Sequence, residues 1–434
     1  MGTGPVFRRK AQWQRMWWMS VSLACLLICL LWPSRPVMAQ TDSPPASGLP
    51  PPVAAVDHQA AAQAPVPSVP TPVQLAKAQT ATLSQGAIEQ AWNQVATQYG
   101  GFIPTSLDGS WVSQFLPGGE GLSASSVVHG FVQYLISMLL DNGKLLGMIL
   151  ILAVLAAVLE AMQTAFESPL VSKTAFFIVY LVIVALAITS FRTATQFAGV
   201  AIDDMTSLMF GSLPVVLALI TASGGLTSAA AFHPLIVFMV NAMGALVHNW
   251  VFPMIFFAAV LSLVSVISDR FKVTELAEFI RNVTLAVLGG GMSIFLGVMS
   301  VQGSLTSVAD GVTLRSAKFV ASTFVPFIGK ALSDASESIA GASLLVKNAT
   351  GMASAVLLLL ICAFPALKIL ALSLVYSGAA AILQPLGDTP VILALSTVGK
   401  SLSLVFAALA AVGLMFFFSL VITVAATNIT AFVR

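Results

Sequence analysis

Apolar runs long enough to cross a lipid bilayer recur along the chain from residue 145 to the C-terminus. A membrane-spanning helix needs about 20 mostly apolar residues, because only a helix or a closed barrel satisfies its own backbone inside hydrocarbon. Hydrophobic residues make up 58% of the sequence, which is more than a soluble fold can bury. The sequence therefore predicts an all-α polytopic membrane protein with about eight transmembrane helices, at 145–161, 175–191, 205–221, 234–247, 251–268, 283–301, 352–375 and 401–427.

The number of spans depends on two weak segments. Residues 234–247 are short for a full crossing, so this segment is either tilted or a half-helix. Residues 376–395 are interrupted by Gln384-Pro385-Leu386-Gly387-Asp388, which leaves two pieces that are each too short to cross. Counts of seven or nine spans therefore remain open beside eight.

Charge, cysteine content and motifs exclude several classes of protein. The 19 Lys and Arg residues nearly cancel the 17 Asp and Glu residues, so nothing indicates a nucleic-acid partner. Cys25 and Cys29 fall in the leader, and Cys362 alone cannot build a disulfide framework or a metal centre. No Walker A, HExxH or GxSxG pattern occurs, which predicts a protein that is not an enzyme and binds no cofactor.

The N-terminal third divides into three parts before the polytopic domain at 143–434. Residues 1–39 resemble a cleaved signal peptide, although an uncleaved anchor is the competing interpretation. Its basic residues are Arg8, Arg9, Lys10 and Arg15, and its apolar run is 17–32. The small residues of the cleavage site are in Val37-Met38-Ala39. Residues 40–83 form a Pro- and Ala-rich tether that we expect to be disordered.

Residues 84–142 are predicted to form extracytoplasmic amphipathic helices. One apolar face is set by helical spacing, at Ile88, Trp92, Val95 and Tyr99. A second helix carries a polar stripe that suits a membrane interface, at Ser126, His129, Gln133, Ser137 and Asp141.

An unusual concentration of charge lies between two apolar runs, at residues 310–351. Pro326 and Gly329 predict a bend between two amphipathic helices. These helices either lie on the membrane surface or form a re-entrant hairpin that lines a cavity. The segment begins at Asp310 and is the candidate assembly or conduit surface, with candidate residues Arg315, Lys318, Lys330, Asp334, Glu337 and Lys347.

Polar residues inside the apolar runs are further candidates for function. Glu160 lies near the end of the first predicted span, and Asn241 lies in the fourth. Lys368 lies inside the seventh, beside Pro365. Its ammonium either lines a polar cavity or extends to the interface, if that span ends near Phe364.

Six ordered segments resemble the stage III sporulation protein AE family, from about Ser125 to the C-terminus. They read MFGSLPVVLALITASGG (209–225), FHPLIVF (232–238), VFPMIFFAAVLSLVS (251–265), VQGSLTSVADGVTLRSAKF (301–319), FVPFIGKALSDASESIAGASLLVKNATG (324–351) and FPALKILALSLVYSGAAAILQPLGD (364–388). The resemblance implies an endospore-forming bacterium and a protein of the mother-cell membrane around the forespore. It implies a subunit of a secretion-like channel, or feeding tube, required for forespore development after engulfment.

The same resemblance implies partners and leaves no catalytic residue to carry over. Expected partners are ring-forming membrane proteins and a secretion ATPase of the same operon, a forespore channel protein, and membrane lipid. Two other classes of function remain open. One is a stand-alone secondary transporter, which would need paired inverted halves with broken helices. The other is a membrane assembly scaffold that conducts nothing.

Overall fold

The computed structural model describes residues 73–76, 78, 86–103, 111–117, 123–165, 170–223, 225–267, 273–324, 328–387 and 389–432, without the side chains of 311–340. The predicted signal peptide at 1–39 and most of the predicted tether lie outside the described residues. The described part of the chain is helical and contains no strand. Its helices are α1 (Gly86–Tyr99), α2 (Ala124–Asp141), α3 (Gly143–Ala165), α4 (Leu170–Ala222), α5 (Leu226–Leu246), α6 (Phe252–Ile267), α7 (Thr274–Phe324), α8 (Ile328–Leu383) and α9 (Pro390–Phe432).

Six helical stretches in the described part of the chain are long and apolar enough to cross a membrane, so the predicted count of eight is not confirmed. The predicted spans 175–191 and 205–221 lie on the single helix α4. The predicted spans 234–247 and 251–268 lie on one rod, in which a π-helical turn at Val247–Val251 joins α5 to α6. Arg192, Asp203 and Asp204 divide the apolar runs of α4, but charged residues do not stop a helix as a turn signal does.

The charged segment 310–351 does not form helices of its own. Its first part continues α7, which ends at Phe324, and its second part begins α8 at Ile328. The chain therefore leaves one apolar helix and enters the next through a break at the position that Pro326 predicted. The backbone of the segment consists of extensions of two long helices. Whether these extensions lie on the membrane surface or form a re-entrant hairpin stays a prediction.

The hairpin of α8 and α9 forms the most extensive helix–helix interface of the fold. A short 3₁₀ turn at Gln384–Leu386 ends α8, and Gly387 follows with a φ of 107°, a conformation that favours glycine. The Ser373 hydroxyl donates to the Gly399 carbonyl oxygen at 2.8 Å. Gly351 packs so closely on Val424 that a Cβ atom at Gly351 would overlap this side chain. Small and hydroxyl residues thus let the two helices approach, as is usual inside membranes.

The N-terminal segments pack on α8 through aromatic rings, and α1 also contacts α4. The Trp92 and Trp111 rings stack with their centroids 3.9 Å apart. The Trp111 indole N–H donates to the Ala353 carbonyl oxygen of α8 at 3.0 Å. The face of α1 with Ile88, Trp92 and Val95 is buried by these contacts. These contacts fix α1 against the long helices that carry the candidate site.

Candidate functional site around the charged segment

Asp310 opens the charged segment and holds the N-terminus of a different helix. One of its carboxylate oxygens accepts the Thr227 backbone N–H at 2.9 Å, and the other accepts the Ser228 backbone N–H at 3.2 Å. The Ser228 hydroxyl donates to the second oxygen as well. Asp310 is only 1% exposed. The first turn of α5 therefore receives its capping acceptor from α7, more than 80 residues further along the chain.

The residue at the N-cap position of α5 explains why a distant carboxylate is needed. Gly225 occupies that position and has no side chain to accept the first N–H groups. A Cβ atom there would lie 2.8 Å from the Ile220 side chain and 3.3 Å from an Asp310 carboxylate oxygen. Glycine therefore leaves the space that the Asp310 carboxylate occupies. Spacing within the sequence gave no signal for this contact, because the partners belong to separate helices.

The far end of the charged segment is buried in the bundle. Lys347 and Thr350 are 0% exposed, and Ser343 is 1% exposed. Lys347 therefore lies inside the packed chain, and its part in the predicted assembly or conduit surface stays a prediction. The remaining members of that predicted surface lie outside the described side chains and stay a prediction: Arg315, Lys318, Lys330, Asp334 and Glu337.

Buried hydroxyl and amide groups continue along α8 and α9 beyond Lys347. Four of their oxygen atoms have no hydrogen-bond partner among the described residues, on Asn348, Thr350, Ser354 and Ser419. Thr423 differs, since its hydroxyl donates to the Ser419 carbonyl oxygen at 2.7 Å. The hydroxyl-rich interface is therefore only partly satisfied within one chain.

Lys368 has an aromatic partner inside the bundle. Its Nζ lies 3.9 Å from the centroid of the Phe197 ring of α4, which is a cation–π contact. Asp141 at the end of α2 is close enough to interact electrostatically with the ammonium. Helix α8 continues past Phe364 to Leu383. Lys368 therefore links α8 to α4.

The other predicted intramembrane polar residues lie apart from this contact. Asn241 is exposed, and its amide donates to the Val237 carbonyl oxygen one turn earlier at 2.8 Å. Glu160 is half-buried, and one of its carboxylate oxygens has no hydrogen-bond partner among the described residues. The structure brings neither residue to Asp310 or to Lys368 in a recorded contact. Neither is assigned to the site.

An aromatic cluster that includes rings from the N-terminal segments surrounds Phe364 of α8. The Tyr99 ring stacks on the Phe364 ring at 4.1 Å, and the Tyr134 ring meets its edge at 5.0 Å. Burial, then the neighbouring Tyr134 and Asp204, raises the pKa of the Tyr99 phenol well above its usual range. Burial and Asp141 also raise the pKa of Tyr134. Both phenols therefore stay neutral at physiological pH and serve as packing groups.

No group of three metal-ligating side chains occurs among the described residues. The arrangement consists instead of a helix cap, buried hydroxyl groups and one cation over an aromatic ring. These contacts connect long helices to each other.

Comparison with known proteins supplies the family. A family model described as "Stage III sporulation protein AE" matches residues 109–427. A protein of the same name from Bacillus subtilis (strain 168) is 44% identical over 364 residues, which are 84% of this chain and 91% of that protein. No solved structure matches. The matched region contains α4, the α5–α6 rod, the charged segment and the α8–α9 hairpin. The chain belongs to the stage III sporulation protein AE family.

Proposed function

We propose that the chain is an integral membrane subunit of a secretion-like channel that links the mother cell to the forespore during endospore formation. In this proposal it resides in the mother-cell membrane around the forespore and is required for development after engulfment. The observation that carries the proposal is the family match over residues 109–427, which fixes a role in sporulation. Six apolar helices of membrane-spanning length support a multi-pass subunit.

The partners in this proposal are ring-forming membrane proteins, a secretion ATPase and a forespore channel protein. The sequence has no Walker A loop to hold nucleotide phosphates. A separate ATPase would therefore supply the energy for any active transport step. The chain itself contributes membrane-embedded helices and a docking surface, and it catalyses no reaction.

We assign the docking surface to the part of 310–351 between its two buried ends. Asp310 ties the beginning of the segment to the N-terminus of α5. The close contact of Gly351 with Val424 ties its end to α9. The charged residues between Asp310 and Gly351 therefore belong to a segment whose two ends are held in the bundle. Asp334 and Glu337 are three positions apart on one helix and present two carboxylates suited to a basic partner.

A double charge reversal tests this assignment. Asp334→Lys with Glu337→Lys should leave the protein in the membrane at normal abundance, because exposed charges contribute at most about 1 kcal/mol to folding. It should abolish co-purification with the rest of the complex and arrest spore development after engulfment.

A matched control is available on α7. Glu275 and Glu278 are also three positions apart and exposed. Glu275→Lys with Glu278→Lys should therefore preserve both co-purification and sporulation. If the Asp334 and Glu337 reversal assembles and sporulates like this control, the segment is not the docking surface.

A further inference from the structure

Helix α4 is too long to lie inside a bilayer over its whole length. Its apolar stretch of 51 residues measures about 77 Å at 1.5 Å per residue, whereas the hydrocarbon core is about 30 Å thick. The large apolar side chains that α4 exposes concentrate before Arg192, at Phe177, Ile178, Leu181, Val182 and Ile188. After Arg192, Val200 is the exposed large apolar residue that the structure describes on α4. Arg192 therefore marks the level at which α4 leaves the hydrocarbon.

The neighbouring rod of α5 and α6 has its polar residues at the same level. Its π-helical turn contains Trp250, which is 62% exposed, and tryptophan is enriched at membrane–water interfaces. The His248 ring lies beside Gly199 of α4, with its Cε1 atom 3.4 Å from the position of a Cβ on that glycine. Such π-helical turns are frequent at functional sites.

An open groove of about 610 Å³ lies between α4 and the rod at this level. Its polar lining includes Arg192, Gln196 and His248. The rest of its lining is dominated by aromatic rings, on Phe191, Phe252, Phe256 and Phe257. Phe257 is itself exposed on the α6 surface. The groove thus combines a guanidinium group with an apolar floor that continues toward the lipid-facing side.

We propose that this groove binds one anionic phospholipid, with the lipid phosphate at Arg192 and an acyl chain along the phenylalanine rings. Guanidinium donates two parallel hydrogen bonds to a phosphate, and the Gln196 amide and His248 imidazole can supply further donors. A volume of 610 Å³ is within the range of about 300–1,000 Å³ that ligand sites occupy. This lipid site does not depend on the proposed channel function.

The apolar floor selects a lipid over a soluble phosphate. A free phosphate would satisfy Arg192 but leave the exposed face of the Phe257 ring uncovered. A phospholipid satisfies both parts of the groove at once. Its headgroup lies at the boundary that Arg192 and Trp250 mark, and its chain extends into the hydrocarbon.

Native mass spectrometry of the full chain in detergent tests the proposal. The binding of phosphatidylglycerol and of phosphatidylcholine is measured while each lipid is titrated. The wild type should retain one phosphatidylglycerol at concentrations where phosphatidylcholine is lost. Arg192→Gln should weaken phosphatidylglycerol binding about tenfold or more, because a charge-assisted contact is removed. Arg192→Lys should restore part of it. The matched control is Arg281→Gln, which removes an arginine that pairs with Glu278 at 3.6 Å on α7 and should leave binding unchanged.

Two further measurements separate the lipid from other anions. Phe257→Ser should weaken phosphatidylglycerol and phosphatidylcholine alike, since it alters the apolar floor and leaves Arg192 in place. Glycerol phosphate at the same concentration should not displace the lipid. Equal binding of the two lipids by the wild type, unchanged binding by Arg192→Gln, or full displacement by glycerol phosphate would each overturn the proposal.

Discussion

Replacing the Asp310 carboxylate should destabilise the fold far from the point of substitution. Asp310→Ala removes the acceptor of two backbone N–H groups at the start of α5, on Thr227 and Ser228, and of the Ser228 hydroxyl. Gly225 at the N-cap position has no side chain that could replace it. The first turn of α5 would then keep buried donors without a partner.

The size of this effect follows from the number and burial of the lost contacts. Loss of a helix cap costs about 1 kcal/mol and at most about 2 kcal/mol. A buried donor left unsatisfied adds about 1–3 kcal/mol. We therefore expect Asp310→Ala to lower the free energy of unfolding by about 2–5 kcal/mol. Asp310→Asn keeps one carbonyl acceptor, but its amide nitrogen cannot accept from the donors that the second oxygen serves. It should therefore cost about 1–3 kcal/mol, less than Asp310→Ala.

Thermal unfolding of the purified full-length chain in detergent measures the order of the variants. The expected order of midpoints is wild type, then Asp310→Asn, then Asp310→Ala. Asp203 is exposed on α4, so Asp203→Ala is the control and should change the free energy of unfolding by no more than about 0.5 kcal/mol. The capping argument fails if Asp310→Ala unfolds at the temperature of that control.

Three further predictions concern topology and helix contacts. If α4 and the α5–α6 rod each cross once, single cysteines at Ser223 and Ser268 should react with an impermeant maleimide from opposite sides of the membrane; the eight-span scheme predicts the same side. Lys368→Leu removes the cation–π contact and should lower the free energy of unfolding by about 0.5–2 kcal/mol. Lys368→Arg should retain most of that stabilisation. Unchanged thermal unfolding of the leucine variant would show that the contact does not stabilise the fold. Gly351→Ala should lower the thermal midpoint by forcing α8 away from α9, at a cost of about 1–3 kcal/mol, and an added Val424→Ala should restore it; no recovery in the double variant would contradict the overlap.

The helix ends were the part of the fold that local sequence predicted best. The Gln384–Asp388 run and Pro326 predict breaks, and helices end beside both. Glycine and proline act on the backbone of their own residues, so their effect does not depend on distant partners. The number of spans could not be read in this way. Hydropathy divides α4 at Arg192, Asp203 and Asp204, but a helix continues through charged residues when packing or water accommodates them.

The candidate site was predicted only as a region. A concentration of charge at 310–351 was visible in the sequence, but the burial of its two ends was not. Lys347 illustrates the difference, because lysine is rarely fully buried in folded proteins and this one is 0% exposed. Phe197 could not have been assigned to Lys368, since 171 positions separate the two residues and neither lies in a motif.

The sequence by itself determined that this chain is helical, that it belongs in a membrane and where its helices turn back. These properties follow from local quantities: apolar run length, backbone hydrogen bonding and the geometry of glycine and proline. Only the tertiary structure decided which apolar runs join into one helix, that Asp310 caps α5, and that Lys368 lies over Phe197. Those outcomes depend on contacts between segments more than 80 residues apart, where desolvation and geometry together determine whether a charge is buried, paired or left at a surface.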